Sequence, residues 1–159
     1  MKYFCLLFLL NFSLALQAQL PTSSYLSLQI GGHARIASFD FSYLGVHTRN
    51  GIWGVQLGWG GEKGGMSFPT ALVFVSGKMD HYLVASAGLT AEVYNPELPN
   101  QDWFLYYVLG GGYRFQPPES KWFFQGGLYV QLETDPRPGK FYDPIRWIFM
   151  PGVQVGMAI

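Results

Sequence analysis

The chain has 159 residues, a formal net charge of zero and a single cysteine, Cys5. Only 13% of its residues are charged, about half the share in an average soluble domain, while 18% are aromatic and 20 are glycine. This balance excludes a disulfide framework, a cysteine metal site and a basic surface for nucleic acid, and it indicates that something other than water covers part of the surface.

Residues 1–18 have the composition of a secretory signal peptide. An N-terminal lysine precedes an apolar run that ends at Leu16, and small residues follow near Ala18. The run is shorter than the roughly 20 apolar residues of a membrane-spanning helix. We therefore expect cleavage near Ala18 and export of residues 19–159 as one domain. The alternative is an uncleaved membrane anchor.

Beyond the signal peptide, large apolar residues alternate with small or polar ones, which is the period of a β-strand. The clearest case is GIWGVQLGWGG at 51–61, where Trp53, Val55 and Leu57 share one face and the other carries glycines and Gln56. The fourth strand sorts poorly, and Pro69 there lacks an N–H group, so we expect a β-bulge. Eight strands are predicted, at about 24–31, 35–44, 51–60, 66–76, 81–94, 103–115, 122–133 and 145–158.

The connections between these strands alternate in length. Those after the even-numbered strands, at 46–50, 77–80 and 116–120, are short, whereas 95–102 and 135–144 are the longest. Outer-membrane barrels have short periplasmic turns and longer extracellular loops. The pattern therefore predicts that both long connections lie outside the cell.

The environment of the apolar face decides the fold class. In a soluble barrel that face would form the core, and the other face would be rich in charge. The other face instead offers Gly, Gln, Ser and a few charges, which suits the narrow interior of eight strands. We therefore predict an all-β, eight-stranded antiparallel transmembrane β-barrel with up-and-down topology. The residues predicted to face lipid include Trp53, Val55, Leu57, Leu128, Val130, Val153 and Val155.

The inward-facing positions carry Asp40, Glu92, Arg114, Glu133 and Arg146. Isolated charges in a narrow lumen are costly, so we expect these side chains to pair as a polar network. One hypothesis is a polar plug, centred on Arg114 with Glu92 and Glu133, that blocks conduction or opens transiently. The other is that the network only satisfies the interior and fixes the strand register.

The sequence offers no arrangement that suggests catalysis, a cofactor or a metal. His33, His47 and His81 all fall at or beside predicted turns. His81 and Ser86 have opposite strand parity, as do His33 and Asp40, so each pair points to opposite faces. The stretch GWGGEKGG lacks the spacing of a phosphate-binding loop, and we interpret it as a glycine hairpin. We expect no enzymatic activity.

Four stretches share glycines, aromatic residues and an alternation of large apolar with small or polar residues. They are SFDFSYLG at 38–45, FPTALVFVSGKMDHYLVASAGLTAEVY at 68–94, GGGYRFQPPESKWFFQGGLYVQL at 110–132 and the closing PGVQVGMAI. In these stretches the chain resembles small outer-membrane β-barrel proteins of the Bacteroidetes, akin in architecture to the OmpA transmembrane domain and OmpX. The resemblance covers nearly the whole mature chain and implies a barrel in the outer membrane without an established activity. Such barrels usually end on Phe, which the insertion machinery reads, whereas this chain ends on Ile159.

The expected role is structural or interactive, in an outer-membrane barrel whose lumen is largely filled by side chains. The expected partners are outer-membrane lipid and a surface ligand or protein. The connections 95–102 and 135–144 combine proline, aromatic residues and both signs of charge, which suits binding loops, although they could simply cap the barrel. Two other functions stay open: a narrow channel for small solutes, and a soluble secreted β-barrel that binds an apolar ligand.

Overall fold

The structure is a computed structural model that describes residues 23–34, 36–62, 65–94, 103–134 and 146–159. The predicted signal peptide and both long connections lie outside the described residues. A 3₁₀ turn, Gly32–Ala34, follows the first strand and is called the inward turn below. Within the described ranges, no helix is long and apolar enough to cross a membrane. The strands are β1 (Ser23–Gly31), β2 (Ala37–Thr48), β3 (Gly51–Glu62), β4 (Gly65–Lys78), β5 (His81–Tyr94), β6 (Trp103–Phe115), β7 (Trp122–Thr134) and β8 (Arg146–Ala158).

Each strand pairs antiparallel with the next one along the chain, and β8 pairs with β1, so the sheet closes. The predicted eight-stranded up-and-down antiparallel barrel is therefore confirmed. We call the end of the barrel that carries the connections 49–50, 79–80 and 116–121 the turn end, and the opposite end the loop end. Closure gives every strand two neighbours, which removes the sheet edges through which open sheets aggregate.

The predicted bulge at Pro69 is wrong. The pairing of β4 with both neighbours keeps one register on either side of this residue. A β-carbon on Gly58 would lie 2.7 Å from the Pro69 ring, so the glycine on the facing strand makes room for the proline. The register shift lies instead in β2, between Leu44 and Val46, and bulges of this kind increase the local twist.

Buried and exposed side chains alternate along most of each strand, and in β4, which the sequence alone left ambiguous, they alternate from Met66 to Val73. In β4, Ser67, Ala71 and Val73 are buried inside the barrel, whereas Phe68 and Leu72 are exposed on its outer surface. The alternation follows from the two-residue period of an extended chain. The barrel thus has an apolar outer wall and an interior of smaller or polar side chains.

The interior changes character between its two ends. At the turn end, large apolar side chains fill the cross-section and form what we call the floor. Nearer the loop end the buried side chains are mostly polar, for example Gln29, Asp40 and Gln131. The expectation of a polar interior is therefore wrong at the turn end, because side chains that meet across so narrow a barrel pack on one another. The floor consists of Tyr25, Leu44, Ile52, Ala71, Val73, Val75, Tyr82, Val84 and Phe123.

Candidate functional site

The connection between β1 and β2 folds into the barrel instead of extending it. Gly31 and Gly32 have φ angles of 73° and 69°, a left-handed conformation that glycine adopts readily. A β-carbon on Gly31 would clash with the carbonyl oxygen of Pro151, and one on Gly32 would clash with the side-chain amide of Gln29. These two glycines allow the chain to leave β1 and enter the lumen.

Hydrogen bonds from facing strands hold the inward turn in the lumen. Thr90 Oγ1 donates to the carbonyl oxygen of His33 at 2.8 Å, and Gln131 Nε2 donates to that of Gly32 at 3.0 Å. The His33 ring itself lies with Nε2 3.0 Å from Ser86 Oγ. Since Ser86 and Thr90 belong to β5 and Gln131 to β7, the turn is fixed to two strands that do not pair with its own.

His33 and Ser86 form a pair that sequence analysis missed, because strand parity does not apply to a turn that folds inward. The His33 side chain is 1% exposed, and its ring lies 5.0 Å from that of Tyr129. Nδ1 has no hydrogen-bond partner among the described residues. Burial lowers the pKa of His33, which lies outside the strands, to about 4. The ring is therefore uncharged at neutral pH, and it contacts Ser86 and Tyr129 in this form.

Two of the predicted lumen residues, Asp40 and Glu92, are buried carboxyl groups above the floor. Ser38 Oγ donates to Asp40 Oδ2 at 3.1 Å, and Tyr106 donates its hydroxyl to Glu92 Oε2 at 2.6 Å. Neither carboxyl residue is more than 1% exposed. Each carboxyl group therefore accepts a hydrogen bond from a nearby hydroxyl group, which reduces the free-energy cost of its burial.

Arg114 does not join these acids, so the predicted cluster of Arg114 with Glu92 is not formed. Arg114 pairs with Tyr82, whereas Glu92 lies ten residues further along β5, about 34 Å away at 3.4 Å per residue. Glu133 and Arg146 pair with each other through their backbones at the loop end, and their side chains lie outside the described part of the chain. Inward parity places these residues on one face but says nothing about their height along the barrel.

Arg114 lies instead in the floor, where it contacts two aromatic rings that meet edge to face. Its guanidinium carbon is 3.7 Å from the ring centroid of Phe123 and 4.3 Å from that of Tyr25. Nη2 donates to Oε1 of Gln116 at 2.6 Å. The described residues place no carboxylate in contact with the guanidinium, so cation–π attraction to the two rings and the hydrogen bond to Gln116 compensate for its burial.

The seven residues predicted to face lipid all have their side chains on the outer surface of the barrel. Trp53, Leu128 and Val153 are 44%, 67% and 59% exposed. Val130 and Val155 are half-buried between their neighbours on the wall. Their contact with lipid stays a prediction.

A further contact between titratable side chains lies on the outer surface at the turn end. His81 lies 3.1 Å from Asp80 and stacks on the ring of Tyr113. In the ranges that the structure covers, no group of three or more His, Cys, Asp or Glu residues is placed to hold a metal ion.

Comparison with known proteins supports the fold. No protein-family model matches the chain, and no curated protein matches it. Among solved structures it is similar to the crystal structure of the N-terminal β-barrel domain of Pseudomonas aeruginosa OprF, with a TM-score of 0.60 and 15% sequence identity. The match covers 87% of this chain and 98% of that one. At this level of identity, the likeness shows the barrel fold alone.

Proposed function

We propose that the chain is an integral outer-membrane β-barrel protein with a structural or surface-interaction role. The observation that carries this proposal is the polarity of the barrel, which is the reverse of that of a soluble protein. Ile30, Leu128 and Phe149 are 70%, 67% and 73% exposed, whereas Asp40 and Gln131 inside the barrel are fully buried. A wall with so many exposed apolar side chains is stable when it is surrounded by the hydrocarbon of a membrane.

The extent of the exposed apolar surface favours a location in a membrane over one in water. Soluble monomers rarely expose a contiguous apolar patch of more than a few hundred Å², and here exposed apolar side chains occur on all eight strands. The strands contain 9 to 14 residues, enough for the 9–11 that a tilted strand needs to cross a bilayer. A closed barrel also pairs its backbone N–H and C=O groups within the sheet, as hydrocarbon requires.

The lumen is closed at two levels, which supports a role at the surface rather than in transport. The inward turn occupies the polar part, and the floor with Arg114 fills the turn end. We therefore expect no steady conductance. The connections 95–102 and 135–144, which have the composition of binding loops, are the proposed contacts for a surface ligand or protein partner.

Membrane fractionation, followed by gels of unheated and heated samples, tests this proposal. We expect the protein to stay in the membrane until detergent is added, and the unheated band to migrate differently from the heated one. The purified chain should begin at Gln19 if the signal peptide is cleaved after Ala18. Extraction by buffer alone would contradict the proposal and favour the soluble secreted barrel.

Planar-bilayer recordings test the closed lumen. The wild-type protein should be silent, and combining Phe123→Ala with Gly32→Ala should produce openings, because the double variant weakens both the floor and the inward turn. Phe124→Ala is the matched control, since Phe124 faces outward and is 55% exposed. Steady wild-type channels would favour the alternative role of a narrow channel.

A further inference from the structure

We infer that the turn end of the barrel contains a binding site for a small organic carboxylate, that is, one carboxylate group joined to a compact apolar group. The site is a cavity of about 310 Å³, at the lower end of the size range of ligand pockets. It lies between Ser23 of β1, Ala158 of β8, the turn at 79–80 and the connection 116–121. Such a site would exist in a membrane barrel or in a soluble one, so it goes beyond the proposed function.

A buried positive charge without a negative partner lies behind this cavity. Arg114 is 4% exposed, and its Nε atom has no hydrogen-bond partner among the described residues. The two rings and the amide that contact the guanidinium stabilise its charge but do not neutralise it. Residues 1–22, which precede β1 at this end, contain no Asp or Glu. An anion from outside the chain would therefore find an uncompensated positive charge here.

Two residues of the cavity wall connect it to Arg114. Gln116 lines the cavity, and its Oε1 accepts the hydrogen bond from Nη2 of Arg114 at 2.6 Å. Tyr82 also lines the cavity, and it pairs with Arg114 across β5 and β6. Because the amide oxygen of Gln116 is bonded to the arginine, its NH₂ group is directed away from the guanidinium and can donate to an anion. The positive charge thus lies one side chain behind the cavity.

The charges around the cavity match a ligand with a single negative charge. Glu119 and Lys121 are the two charged residues that line it. Both are exposed, and their formal charges cancel. Arg114 therefore supplies one positive charge in excess. A carboxylate matches this charge, whereas a phosphate group carries about two negative charges at neutral pH.

The remaining lining favours an organic anion over an inorganic one. Pro117, Pro118 and Ala158 contribute apolar surface. Met79 lines the cavity as well, from a left-handed backbone conformation with a φ of 59° that residues other than glycine rarely adopt. Tyr82 donates its hydroxyl to the carbonyl oxygen of Met79 at 2.5 Å, which holds this turn in place. The apolar group of a ligand would leave water when it packs against these side chains.

Isothermal titration calorimetry of the purified barrel with N-acetylleucine tests the inference, because this probe has both a carboxylate and a compact apolar group. We expect one molecule to bind per barrel. The amide of N-acetylleucine, which has nearly the same shape without the charge, should not bind. Acetate, which lacks the apolar group, should bind roughly ten-fold more weakly or less. Hexanoate separates two sources of the same chemistry: tighter binding than N-acetylleucine supports a free short-chain acid, and weaker binding supports the C-terminal end of a peptide.

Charge substitutions at exposed positions test the electrostatic origin of binding without disturbing the floor. Glu119→Gln should tighten the binding of N-acetylleucine about two- to five-fold, and Lys121→Gln should weaken it by a similar factor. Arg49→Gln is the matched control, because Arg49 is also exposed at the turn end but does not line the cavity. Arg114→Gln should abolish binding, and the shift between unheated and heated gels checks that this variant is folded.

Several results would overturn the inference. They are equal binding of N-acetylleucine and its amide, no binding of N-acetylleucine to wild type, equal effects of Lys121→Gln and Arg49→Gln, and full binding by folded Arg114→Gln. None of them changes the requirement for detergent, which tests the membrane location separately.

Discussion

The lumen is closed at two levels, and the two closures are built differently. At the floor, aromatic and aliphatic side chains pack around Arg114, so the closure depends on volume and is shared by many residues. At the inward turn, closure depends on the conformation of Gly31 and Gly32 and on donors such as Thr90 and Gln131. A narrow barrel can therefore be filled without the cluster of opposite charges that its inward-facing acids and bases suggest.

The largest loss of stability is expected from Phe123→Ala, because it leaves a cavity in the floor and removes one of the two rings on Arg114. Large-to-small substitutions of buried phenylalanine cost about 3–5 kcal/mol. Urea unfolding in detergent micelles measures the free energy of unfolding. The adjacent Phe124→Ala, on the outer face, should cost less than about 1 kcal/mol. Equal losses in the two variants would show that the floor is not a packed core.

Gly32→Ala should have the next largest effect, and it tests the inward turn. Alanine at a φ of 69° is strained, and its β-carbon would also clash with Gln29, so we expect a loss of about 1–3 kcal/mol. Gly111→Ala, at an outward position with free space, should change stability little. If both substitutions were equally mild in urea unfolding, the turn would not be seated in the lumen as described.

Thr90→Val removes a single donor to the inward turn while keeping the shape of the side chain. The carbonyl oxygen of His33 would lose the bond from Thr90, and we expect a loss of about 1 kcal/mol. Thr70→Val is the control, since Thr70 Oγ1 bonds to the carbonyl of Leu89 on the exposed face of the wall. A loss in Thr70→Val as large as that in Thr90→Val would show that the hydrogen bond to the inward turn stabilises the barrel no more than one on its outer face.

The repeating part of the structure could be predicted from sequence because it depends on period and parity alone. Alternation located all eight strands, with the largest difference at the turn-end side of β2, which runs on to Thr48. The same alternation separated Trp53 and Leu57 from Gln56. Turn residues marked the connections, because glycine and proline have restricted roles within strands.

The contents of the lumen could not be predicted in the same way, because they depend on height along the barrel and on a turn that leaves the sheet. Arg114 and Glu92 share a face but lie at opposite ends of β5 and its neighbour. His33 meets Ser86 only because two successive glycines direct the chain inward. The signal that could have found this turn is the pair Gly31–Gly32 at the end of a strand, because two successive glycines allow the left-handed conformation that turns the chain inward.

The smallest expected effect depends on pH and also distinguishes the two closures. The pKa of His33 falls from 6.5 to about 4 on burial, so between these values the unfolded chain binds more protons than the folded one. The stability that neutral His33 provides is therefore complete above pH 6.5 and is lost as the pH falls towards 4. Between pH 7.5 and pH 6 the loss due to His33 should be about 1 kcal/mol or less, measured as the difference between wild type and His33→Gln in urea unfolding. Because the other titrating groups contribute equally to both proteins, an identical pH dependence would mean that the pKa of His33 is the same in the folded barrel as in the unfolded chain and that the inward turn is open to water.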